Sequence, residues 1–220
     1  MKSAGDLPIP TTLEDLLQPS KVALIVYDMQ VGICAQVREA PQIVQQITRL
    51  LDGARAAGVR TIFTRHMSLP RELMGVMQYR TAMAWQRIAE PAEVRPWFLR
   101  DSPGFAITPE LEPRPSEAIF DKIAMSAFEG TPLAVALRDC GITAAIFAGI
   151  AMEIGIEPSC RHAADLGFVP ILAADACGHG HAEAAQRSID ALAFAGDTVI
   201  SDVDTICRTL NSATPATTTP

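Results

Sequence analysis

The sequence predicts a doubly wound α/β domain on a mainly parallel, six-stranded sheet with helices on both faces. Three observations carry that expectation. Short apolar runs alternate with helix-length segments along most of the chain. Most of these runs are continuously apolar, as strands are when both faces of a parallel sheet are covered. Gly58, Gly141 and Gly167 follow three of the helical segments, where a left-handed C-terminal residue is wanted.

Taken in order, residues 1–20 contain Asp6, Pro8 and Pro10 and read as an N-terminal arm. Strands are expected at 22–27, 59–64, 118–120, 144–148, 168–173 and 198–200. Helices are expected at about 41–57, 70–90, 131–140, 153–166, 181–195 and 203–210. This gives one domain over 21–210 and a loosely held Thr- and Pro-rich tail over 211–220. The excursion 67–115 is longer than a single crossover needs. Its Met-rich part, 71–86, reads as a lid or pocket wall, or as a surface helix packed down for stability.

Composition bounds the function. The 220 residues are 49% hydrophobic and 20% charged, enough apolar content for a proper core. A net charge of −7 and no basic cluster argue against nucleic acid or an acidic membrane surface as partner. The five cysteines are scattered, with no C-x-x-C pair to suggest disulfides or zinc. No signal peptide or bilayer-spanning run is seen, so a cytoplasmic protein is expected.

In an open parallel sheet the site lies beyond the carboxyl ends of the strands. Three polar features fall there. Asp28 ends the first strand, Lys122 follows the third, and Gly149-Ile150-Ala151 ends the fourth, just before a helix start that aims free N–H groups outward. Each has a structural alternative, as a cap or an ion pair; their convergence on central strands favours a site. His66 follows the second strand and is either a hydrogen-bonding structural residue or a substrate contact. His179 and His181 have metal-like spacing without a third ligand and read as a loop before a helix.

Leu24-Ile-Val-Tyr-Asp-Met-Gln30, Lys122 with Ser126-Ala-Phe128 and Gly130-Thr-Pro-Leu133, Gly149-Ile-Ala151, and Ala163-Ala-Asp-Leu-Gly-Phe168 leading to Ala174-Asp-Ala-Cys177 recur in a characteristic order. Over residues 20–208 the chain thereby resembles the isochorismatase-like (cysteine) hydrolase superfamily. The resemblance implies that Asp28 is the acid/base aspartate and Lys122 its lysine. It also implies a cis peptide at Ile150–Ala151 and oxyanion-type N–H donors from Ala151 and Gly155. Substrate contacts are expected from Gln30, His66, Gln78 and Tyr79, and from Trp85, Phe128, Ile150 and Met152. Family members usually form dimers or tetramers, so a homo-oligomer is expected, with 71–86 bordering the pocket.

The departures are informative. The family's cysteine nucleophile is replaced by Gly155, in Met152-Glu-Ile-Gly155-Ile156. Cys160 is no easy substitute, about 140° round the helix and over a turn deeper. The Asp/His metal set of nicotinamidases gives way to Val31-Gly-Ile-Cys-Ala35, so neither a metal nor another cofactor is expected. A family branch with glycine here cleaves an enol ether, which needs an acid and water rather than a covalent nucleophile. The preferred expectation is therefore ether hydrolysis of a small, carboxylated substrate, with Asp28 as acid, Lys122 holding the carboxylate, and glycine leaving room for substrate. The alternatives are C–N hydrolysis by water activated at Asp28, and a non-catalytic binding module on the same scaffold.

Overall fold

The computed structural model describes residues 1–213. Its sheet strands are β1 (Val22–Tyr27), β2 (Arg60–His66), β3 (Ala118–Lys122), β4 (Ala144–Ile150), β5 (Val169–Gly178) and β6 (Val199–Ser201). Its main helices are α1 (Ala40–Ala56), α2 (Val76–Gln86), α3 (Leu133–Asp139), α4 (Glu157–Asp165), α5 (Ala182–Ala195) and α6 (Val203–Ser212). All six strands are parallel, in the order β3-β2-β1-β4-β5-β6. The order reverses between β1 and β4, and at such a switch point the carboxyl ends of neighbouring strands open a crevice.

Side-chain alternation along β1 divides the core in two. Val22, Leu24 and Val26 belong to one apolar layer with Ile47, Leu50 and Leu51 of α1 and Val203 and Ile206 of α6. Ala23, Ile25 and Tyr27 belong to the opposite layer with Leu133 and Leu137 of α3, Cys160 and Ala163 of α4, and Leu192 of α5. On the first face, Arg55 of α1 makes a bidentate ion pair with the largely buried Glu117, at 2.7 and 2.8 Å. That pair ties α1 to the segment feeding β3.

Several boundaries differ from expectation. The arm contains a small antiparallel pair, Lys2–Ala4 with Leu7–Ile9, and a short helix, Leu13–Leu16, capped by Thr12. The helix expected over 70–90 is a 3₁₀ turn, Arg71–Leu73, followed by α2; Gly75 separates them in extended backbone. The helix expected over 153–166 begins as a π-turn, Met152–Ile156, before α4. β5 runs on to Gly178, because pairing resumes between Gly149 and Cys177 after a register shift. α6 extends through Ser212, into the expected tail; the rest of that tail, from 214 on, lies outside the described residues. Among the described residues no helix is long and apolar enough to cross a membrane.

Gly149 sits at the switch point with φ +134°, paired to Tyr27 across β1 and β4. A Cβ there would overlap the Tyr27 carbonyl, and an L side chain is strained at that φ. Gly149→Ala is expected to destabilise the fold by roughly 3–5 kcal/mol. Chemical denaturation checks this; a loss no larger than that of an exposed-loop glycine would contradict it.

Candidate functional site

Asp28 is the first residue beyond β1 and adopts φ +47°, a left-handed conformation that aspartate tolerates better than most side chains. The turn brings its carboxylate between two neighbouring strands. Thr64 of β2 donates its hydroxyl to Asp28 Oδ1 at 2.6 Å and accepts the Asp28 backbone N–H at 3.2 Å. Lys122, the last residue of β3, donates to Asp28 Oδ2 at 2.6 Å. The lysine also donates to the Tyr27 hydroxyl at 2.8 Å and to the Ala124 carbonyl at 3.2 Å. Three acceptors thus match the three donors of an ammonium group. The Tyr27 hydroxyl in turn donates to the Met125 carbonyl at 2.5 Å.

The network is buried: the Lys122 side chain is 0% exposed and that of Asp28 4%. Burial pulls the Lys122 ammonium below the ordinary lysine value, against the opposing pull of Asp28. Burial first, and then the charge of Asp28, push the Tyr27 phenol well above its ordinary value, so it stays a neutral donor.

Tyr27 explains Gly155. Strand alternation turns Tyr27 toward the layer that holds α4 and the π-turn before it. A Cβ on residue 155 would overlap Tyr27 Oη, Cζ and Cε1. The absent side chain makes room for the tyrosine hydroxyl, not for substrate as expected. Nor does the Gly155 N–H point to a ligand: it donates to the Ala151 carbonyl at 3.0 Å. Of the two expected N–H donors, only that of Ala151 lacks a backbone acceptor among the described residues. The Ile150–Ala151 peptide is cis.

A cavity of about 390 Å³ opens at this switch point. Tyr27, Asp28, His66, Trp85, Ile150 and Ala151 line it, together with Ile33, Gln36, Val37, Arg87, Trp97, Phe98, Met125, Ile154 and Gly180. Glu153 holds Gly180 in this wall by accepting the N–H groups of Gly180 and His181, both at 2.8 Å. A second cavity, of about 260 Å³, adjoins it and contains Gln78 in its wall. The two share His66, Trp85, Trp97, Phe98 and Met125.

The other expected contacts lie elsewhere. Gln30 is fully buried and lines neither cavity; its amide bonds the His66 and Phe105 carbonyls and the His66 N–H. Tyr79 donates weakly to the Arg71 carbonyl. Phe128 packs on Phe147, His162 and Phe168 behind the sheet. Met152 is buried in the core with Tyr27. Lys122 does not line the cavity and has no donor left for a substrate carboxylate. Arg87, unnoticed in the sequence, is the cation in the wall. Thr64 was also missed; a threonine inside an apolar strand, beside His66, was the available signal.

Cys160 is 0% exposed, and burial raises its thiol well above the ordinary value. Burial raises Cys177 likewise. Neither lines either of these two cavities. His181 caps α5, its Nδ1 accepting the Ala184 N–H. Among the described residues, no three His, Cys, Asp or Glu side chains cluster as a metal site would require.

His66 packs edge-on against Trp85 and Phe98, with ring centroids 6.0 and 5.9 Å apart. Burial pulls its imidazole from 6.5 down to about 4. Between those values the unfolded chain takes up a proton that the folded one refuses. His66 therefore makes stability fall as pH drops from 6.5 toward 4. His66→Phe is expected to flatten that part of a melting-temperature profile; an unchanged slope would contradict it.

Comparison with known proteins places this arrangement. Residues 22–203 match the isochorismatase domain model. The chain is 27% identical to a ureidoacrylate amidohydrolase, RutB, of Rhizobium rhizogenes, over 94% of this chain and 89% of that protein. It is 28% identical to the enzyme of the same name from Serratia proteamaculans, over 87% and 84%. The crystal structure of a cysteine hydrolase from Pseudomonas syringae pv. phaseolicola superposes with a TM-score of 0.77 at 25% identity, covering 89% of this chain and 95% of that one. The parallel sheet, the aspartate and lysine at its carboxyl edge and the matched span together identify the chain as a member of the isochorismatase family of hydrolases.

Proposed function

We propose that the protein hydrolyses an amide- or ureido-type C–N bond in a small substrate, using water activated at Asp28 and no covalent cysteine intermediate. The observation that carries this reading is the exchange at residue 155: no thiol stands there, and the Tyr27 hydroxyl fills its place beside Lys122. The names of the curated relatives support C–N rather than ether C–O hydrolysis.

In this mechanism the Asp28 carboxylate takes a proton from water as the water oxygen attacks the carbonyl carbon. The Ala151 N–H, which has no backbone acceptor among the described residues, supports the developing oxyanion. Asp28 then returns the proton to the leaving nitrogen as the C–N bond breaks. Lys122 and Thr64 hold the carboxylate in one orientation throughout. Arg87 is the cation available to a substrate carboxylate, a role expected earlier of Lys122.

Enol-ether cleavage is the second reading. Asp28 is the one acid among the cavity-lining residues, and carbon protonation needs no nucleophile. The exposed Val76 and Met77 of α2, a helix with no buried residue, support the homo-oligomeric reading of this segment.

Asp28→Asn is expected to lower kcat by about 10²- to 10⁴-fold on whichever small ureas, amides or enol ethers the wild type turns over. Turnover should survive exhaustive iodoacetamide treatment. Loss of activity that tracks alkylation of Cys160 would sink the cysteine-free mechanism, and preferential turnover of enol ethers would select the second reading.

Restoring a cysteine alone should fail. Gly155→Cys drives Cβ into the Tyr27 hydroxyl and is expected to cost about 3 kcal/mol of stability without raising amide turnover. Combining it with Tyr27→Val should remove the clash and yield a thiol that iodoacetamide modifies, while stability stays low because the Lys122 and Met125 partners of the phenol are left unpaired. A stable, more active single variant would refute this account.

A further inference from the structure

Helix α2 carries an inward stripe at Gln78, Thr81, Ala82 and Trp85, the i, i+3, i+4, i+7 spacing that normally meets a core. Here the stripe meets a cavity: all four residues line the second, 260 Å³ space. The helix has no buried residue at all. The Gln78 Oε1 atom is shielded from solvent yet has no hydrogen-bond partner among the described residues. A buried acceptor left unpaired is costly, and a rotation of the Gln78 side chain into the cavity that the residue lines pairs it with a donor on something that enters.

The second cavity joins the Asp28 cavity through a shared wall of His66, Trp85, Trp97, Phe98 and Met125. No carboxylate lines it, so nothing there recruits a cationic group, and its one cation, Arg95, is a solvent-exposed residue. His66, uncharged near neutral pH, gives the connecting wall an aromatic and not a cationic character.

We infer that the substrate is bipartite. Its reacting group lies against Asp28, and an uncharged, apolar tail of several carbons passes the His66–Trp85–Phe98 wall into the second cavity. The tail ends in a hydrogen-bond donor, such as a hydroxyl, directed at Gln78 Oε1. This rests on the reading of Asp28 as the reacting end, but its test does not depend on turnover.

Trp85 and Trp97 are the only tryptophans of the chain, and both line the shared wall, so intrinsic fluorescence reports binding directly. Ethylurea, butylurea, hexylurea and 6-hydroxyhexylurea serve as probes. From ethylurea to hexylurea, affinity for the wild type should rise about three- to fourfold per methylene, with growing change in the tryptophan emission. The hydroxyl-tipped probe should bind better than hexylurea despite its more polar tail. Gln78→Leu should reverse that preference, and the ratio of two probes on one variant is insensitive to how much protein is folded. Affinity independent of chain length in the wild type would overturn the proposal, and a preference untouched by Gln78→Leu would overturn the role of Gln78. Length-dependent binding without hydrolysis of any probe would defeat the assigned reaction alone. Hydrolysis of ethylurea with flat affinities would defeat the tail alone.

Discussion

The arrangement of the site depends on one buried ion pair, Lys122 with Asp28. Removing both charges from water costs several kcal/mol per ion, and attraction alone repays that only when the remaining hydrogen-bonding capacity is also met. Here it is met by contributions from two neighbouring strands and the loop after β3: Thr64, Tyr27, and the carbonyls of Ala124 and Met125. The register that pairs Phe120 with Thr64 and Lys122 with His66 brings these groups to one level of the sheet. The chemistry available at Asp28 is thus set by how the sheet is stacked.

The same network gives residue 155 its meaning. In β1, alternation sends Val26 to one core layer and Tyr27 to the other, where the π-turn passes over it. Tyrosine and a side chain at 155 compete for one volume. The chain resolves the competition in favour of a phenol that accepts from Lys122 and donates to Met125. The absent side chain at 155 is in space the room that the phenol occupies. The phenol keeps the lysine fully bonded, and Asp28 is the acid facing the cavity.

The excursion after β2 supplies the rest of the enclosure. Gln30 pins its base by bonding the His66 backbone and the Phe105 carbonyl, and Arg65 stacks over the Phe105 ring at 4.2 Å. His66, Trp85, Trp97 and Phe98 then form an aromatic partition instead of a closed core. An apolar wall of this kind lowers the local dielectric around Asp28 and strengthens every polar interaction made there.

Much of the fold was legible because it rests on periodicity and local chemistry. Continuous apolar runs such as 144–148 have the pattern of strands covered on both faces, and Gly58, Gly141 and Gly167 do take the left-handed conformation. Asp28, His66, Ile150 and Ala151 were likewise legible as wall residues, because strand ends at a switch point face the crevice. Gln30, Phe128 and Met152 sit in the same motifs yet turn into the structure, since motif membership says nothing about which way a side chain points. The partnership of Tyr27 with Gly155 joins residues far apart in the chain. It depends on the crossing of a strand and a π-turn, which no local pattern encodes. Sequence alone determined the layers, the strand ends and the acid–lysine pair. Tertiary structure decided which atoms fill the space between them, because packing volume is shared across elements and belongs to no single segment.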